Sequence, residues 1–171
     1  MTDASEELRF RQAPLKERYR EDAATAVIVL RATASLDAAG VACNVSTGRA
    51  LVEAGLHPAT GGSGLQVCSG DMLLEALVAC AGVTLRAVAT SLGIEVDGGR
   101  VEAQGELDVR GTLGVSKEAP VGFRAIHLRF LLDTDASGEQ LATLLKLTER
   151  YCVVLQTLRI PAALSTTMQT T

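Results

Sequence analysis

Between Cys68 and Gly93 apolar residues recur at helical spacing on almost every side. Leu73, Leu77, Cys80, Thr84 and Val88 form one stripe, and Leu74, Val78, Ala81 and Leu85 form the next. Only the line through Asp71, Glu75, Gly82 and Arg86 is polar or small. An apolar arc this wide exceeds what a surface helix needs, so the pattern predicts a central, buried helix. Ser69 is its expected N-cap, Asp71 suits the positive end of the helix dipole, and Gly93 is the expected stop.

Elsewhere the period changes to two. Val101, Ala103, Leu107 and Val109 alternate with Glu102, Gln104, Glu106, Asp108 and Arg110. Ile126, Leu128, Phe130 and Leu132 alternate in the same way, and a turn-rich link joins the two segments, so a hairpin is predicted. The β-branched run Ala24–Thr33 predicts an earlier strand, followed by a Gly turn and a second strand from Val41. A short strand or turn near Leu51 and a Gly/Pro-rich loop over His57–Gly64 come next. A second long helix starts at Ser137, which with Gln140 fits a capping box. Leu141, Leu144, Leu145, Thr148, Cys152 and Leu155 lie on its apolar side, and Pro161 marks its end. The segment after Pro161 reads as a last strand. The order is β-β-(β)-α-β-β-α-β, an α+β fold. Residues 24–169 form one expected domain. Residues 1–23 form a charged arm, either a solvated terminus or a segment that packs on a partner subunit.

Composition narrows the function. Apolar residues are 47% and charged residues 21% of 171, enough for a core, with aromatics only 3%. The net charge is −4, and no basic block is interleaved with aromatics, which argues against nucleic acid. No run of about 18–20 uninterrupted apolar residues occurs, so no membrane partner is expected. The charged N-terminus lacks the apolar core of a signal peptide, so a cytoplasmic protein with reduced thiols is expected. The four cysteines form no C-x-x-C pair, and His57 and His127 lie far from them, so no metal site is expected.

Cys80 and Cys152 sit on the apolar sides of the two long helices. Packing those helices together would bring the sulfurs into one region. Free cysteine is among the most buried residue types, so two core residues and two working thiols both fit the pattern.

The stretch LLEALVACAGVTLRAVATSLGI, followed after a hairpin by ERYCVVLQTL, is similar to the OsmC/Ohr family (osmotically inducible protein C, organic hydroperoxide resistance) of thiol-dependent peroxidases. The resemblance covers roughly residues 24–169. It implies an intertwined homodimer with β-sheets around two central helices per subunit and active sites at the subunit interface. It implies no bound cofactor, Cys80 as the peroxidatic thiol and Cys152 as the resolving thiol. An organic hydroperoxide would be the substrate and an external dithiol of lipoyl type the reductant. Leu73, Leu77 and Val83 would line an apolar pocket.

Two positions depart from the family's pattern. The family's glutamate ten residues before the first cysteine is replaced by Gly70, with Asp71 one residue late. Nine residues at about 100° each place Asp71 on the side of a continuous helix opposite Cys80, so Asp71 is a candidate activating carboxylate if the helix starts later or bends. Arg49, and less so Arg31, are the candidate activating cations, whereas Arg86 and Arg150 fall on the wrong sides of their helices. Cys152 is followed by Val153 rather than proline, so the second helix is expected to run straight through. Cys68 is a loop thiol or a second resolving candidate, Cys43 a strand residue, and His57 and His127 surface residues. The rival readings are a non-catalytic dimer of the same fold that binds a small apolar ligand at the subunit interface, and a hot-dog thioesterase. The second long helix argues against the latter.

Overall fold

The computed structural model describes residues 4–36, 43–45 and 54–169. The central helix forms as its pattern dictates. This helix, α2 (Ser69–Leu92), has Cys68 rather than Ser69 at the N-cap position, without a side-chain capping bond. It ends at Gly93, whose φ of 67° is the left-handed conformation that glycine adopts without a Cβ penalty. Leu74, Leu77, Val78, Ala81 and Leu85 are fully buried. Even the polar line is partly enclosed: Arg86 is buried and donates to the Val96 carbonyl at 2.5 Å. By length and composition alone α2 is apolar enough to cross a membrane, but half of its most apolar stretch is buried within this chain.

Before it come an N-terminal helix, α1 (Ala4–Glu21), a 3₁₀ turn (Ala23–Ala26), and strands β1 (Val27–Leu36), β2 (Cys43–Val45), β3 (Ala54–Gly55) and β4 (Val67–Cys68). After it come β5 (Gly98–Asp108), a one-turn helix α3 (Val109–Thr112), β6 (Phe123–Asp133), α4 (Gly138–Tyr151) and α5 (Val153–Arg159). The main sheet is antiparallel in the order β2-β1-β5-β6, and β3 and β4 form a small parallel pair. Helix α2 lies against β1, β2 and β5 of the main sheet and against α4 and α5. Register explains the packing: Val101 faces Phe130, and Ala103 faces Leu128, so directly paired residues share the core face. Opposite Ile126 stands Gly105, where a Cβ would meet the Phe123 ring at 2.3 Å. Only glycine lets that ring fold over the strand.

The N-terminal segment is a docked helix rather than a loose arm. Tyr19 is buried and donates to the Ala59 carbonyl at 2.8 Å, and Gln12 donates to the Thr60 carbonyl at 2.9 Å. Two further expectations are corrected. Val109 caps off β5 by starting α3, because the Asp108 carboxylate accepts from the Arg110 amide and turns the chain. Residues 161–169 form no strand within the chain, and Leu164 and Met168 are almost fully exposed.

Because Leu77 lies in the main core with no solvent exposure, Leu77→Ala should lower unfolding stability by about 2–5 kcal/mol. Urea denaturation checks this; an unchanged midpoint would contradict the central placement of α2.

Candidate active site

The second long helix does not run straight through. Ser137 starts α4 with the predicted capping box, its hydroxyl accepting from the Gln140 amide at 3.3 Å and its amide donating to the Gln140 side chain at 2.9 Å. The helix then stops at Tyr151. Cys152 takes φ −71° and ψ 105°, an extended conformation, and α5 restarts at Val153. The expectation of a continuous helix, drawn from the lack of proline at 153, is therefore corrected. Proline is one way to interrupt a helix, and this chain does so with ordinary residues.

The interruption has a chemical consequence. A helix start leaves its first amide groups without intrahelical acceptors. Here the Val154 and Val153 amides, with the Cys152 thiol and the Thr84 hydroxyl one turn along α2, are the groups that favour the charged form of Cys80. Burial pushes the Cys80 thiol up. The Val154 amide, the Cys152 thiol, Thr84 and the Val153 amide together outweigh it, and the thiol titrates below its ordinary value. Cys152 behaves oppositely. It has no solvent exposure, and burial foremost pushes its thiol up to about 11. The Leu155 amide opposes that rise, and the neighbouring Cys80 adds to it. The pair is thus one half-buried sulfur prone to ionise and one buried sulfur that stays protonated and donates to it.

The other candidate residues fall elsewhere. Asp71 is not among the groups that shift the Cys80 thiol; its own carboxyl is raised by burial, with His57 partly opposing. His57 is half-buried rather than simply solvated, and its Nδ1 accepts from the Ala59 amide at 3.0 Å. Arg31 is exposed, and Arg150 lies over the Tyr151 ring at 5.5 Å. Arg49 lies outside the described residues, and so do the structural surroundings of Cys43's side chain. Cys68 is a free, half-buried thiol packed against the main core. Among the described residues no three His, Cys, Asp or Glu side chains gather as a metal site would require. Leu73 lines a mainly apolar cleft of about 730 Å³, with Ile126, Leu128, Phe130, Leu145 and Leu155. His127 also borders it, while Leu77 is in the core and Val83 is at the surface, 41% exposed. Neither sulfur of the pair lines that cleft.

Sequence reasoning missed the amides of Val153 and Val154, because backbone groups leave no residue signature. Thr84 was visible as the residue one helical turn beyond Cys80 on the same stripe.

Residues 62–167, more than half of the chain, match the family model described as OsmC-like protein. Among solved structures the fold is similar to that of an OsmC-like hydroperoxide resistance protein from Jannaschia sp. CCS1. The TM-score is 0.59 at 17% identity, over 85% of this chain and 95% of that one. No curated protein matches the sequence.

The opposed shifts predict unequal reactivity. Near neutral pH, iodoacetamide should label Cys80 at least about tenfold faster than Cys152. Peptide mass spectrometry over time checks it; equal labelling of both sulfurs would contradict the geometry.

Proposed function

The chain belongs to the OsmC-like protein family, and we propose that it is a thiol-dependent peroxidase that reduces organic hydroperoxides. The observation that carries this reading is the contact of the Cys80 and Cys152 thiols at a helix break whose amides face Cys80. The solved relative's description as a hydroperoxide resistance protein points the same way.

In this reading the Cys80 thiolate attacks the outer oxygen of ROOH. The S–O bond forms, the O–O bond breaks, and RO⁻ leaves and takes a proton to become ROH. Cys80 is left as a sulfenic acid. The amides of Val153 and Val154 stabilise the anion before attack and do not supply a proton. Formation of neutral Cys80–SOH removes the negative charge beside Cys152, one of the causes that hold its thiol up. Cys152 then attacks the Cys80 sulfur, water leaves, and a disulfide joins the two. An external dithiol of lipoyl type reduces it by thiol exchange, becoming a disulfide itself.

The reading includes a second copy of the chain. Ile160, Leu164 and Met168 are 73%, 89% and 95% exposed, an apolar tail that the single chain does not cover. Arg49, or a cation from that copy, is the proposed further activator of Cys80.

One observation favours the rival reading, a non-catalytic dimer that holds a small apolar ligand: the large cleft is lined by neither sulfur. Turnover separates the two. With an organic hydroperoxide and a dithiol, Cys80→Ser should lose at least about 99% of peroxide consumption, on the scale of losing a nucleophile. Activity in Cys80→Ser equal to that of the unaltered protein would sink the assignment. Absence of activity in both would favour the ligand-binding dimer.

A further inference from the structure

The break at Cys152 has a structural cause that the cysteine itself does not supply. The Cys152 amide still continues α4, donating to the Thr148 carbonyl at 3.0 Å. In an unbroken helix the next bond would run from the Val153 amide to the Glu149 carbonyl. That carbonyl instead accepts from the Gln156 carboxamide at 2.6 Å. The backbone amide of Gln156 donates to the Cys152 carbonyl at 2.9 Å and opens α5. One residue therefore spans the break, tied by its backbone to Cys152 and by its side chain to α4. Gln156 is the one amide side chain in the run CVVLQTL, otherwise apolar except for Thr157.

Competition for one acceptor makes this matter. A partly buried carbonyl without a donor is costly. Without the carboxamide, the Val153 amide is the donor that ordinary helix geometry would supply. If it turned to Glu149, α4 would close onto α5 and the amide would leave Cys80. A second link across the break, Arg159 to the Glu149 carboxylate at 3.1 Å, joins side chains that are 50% and 39% exposed, so water screens it.

We propose that Gln156 is a positioning residue: by occupying the Glu149 carbonyl it holds the helix open at Cys152 and keeps the amides of Val153 and Val154 on the Cys80 sulfur. It touches no reacting atom. In effect it does for this chain what a proline after Cys152 would do by removing an N–H. The role rests on Cys80 being the working thiol of the proposed peroxidase.

The test reads the sulfur rather than turnover. Gln156→Met keeps the side-chain length and removes the donor. The pH profile of Cys80 alkylation, resolved by peptide mass spectrometry, should move up by about one unit, which is about tenfold slower labelling at a fixed pH below the midpoint. Adding Val153→Pro should recover most of that shift. Proline fits the first position of a helix, has no N–H to give Glu149, and leaves the Val154 amide in place. Should Gln156→Met fail to fold by circular dichroism, Gln156→Glu serves, with the same shape and no N–H donor when ionised. An unchanged profile in the folded variant, or no recovery with Val153→Pro, overturns the role of Gln156. An inactive protein with a shifted profile would overturn the peroxidase reading and leave this one standing.

Discussion

The site depends on a helix that stops for one residue. At Cys152 the chain leaves helical geometry and re-enters it at Val153, which frees two amides at a fixed place in the core. Those amides do for Cys80 what a nearby cation or carboxylate–cation pair would otherwise do: they favour the charged sulfur in a site where burial alone opposes it. Backbone donors cost far less to take out of water than ions do, and a rigid frame holds them in place.

That frame is α2. Its leucines and valines are buried on the side of β1 and β5 and on the side of α4 and α5, so Cys80 is fixed relative to both the sheet and the broken helix. The two thiols then differ for a reason of position rather than type. Cys80 lies half-buried where the amides converge, and Cys152 is enclosed at the break itself. Asp71, in the first turn of α2, is governed by burial, which raises its carboxyl, with His57 partly opposing.

Much of this was legible in the residues. The wide apolar arc of α2, the alternation in β5 and β6, the Ser137–Gln140 capping box and the stop at Gly93 are all local patterns, and each is present in the fold, with α2 capped by Cys68 rather than Ser69 and Val109 passing from β5 to α3. What sequence could not show was non-local. The helix break follows from a side chain four residues beyond Cys152 reaching back to a carbonyl three residues before it, and no periodicity encodes that. The docking of α1 through Tyr19 depends on a carbonyl 40 positions away. The expected last strand does not form: residues 161–169 pair with no strand among the described residues, although β6 is an edge of the main sheet.

In the proposed cycle Cys80 and Cys152 act together on a peroxide. Mass spectrometry after one equivalent of an organic hydroperoxide, with no reductant present, reads that joint action. The expected result is loss of about two mass units per chain, the two hydrogens given up in a disulfide, with digestion locating the bond between Cys80 and Cys152. A chain that keeps both thiols, or that gains oxygen on Cys80 while Cys152 remains free, would contradict it.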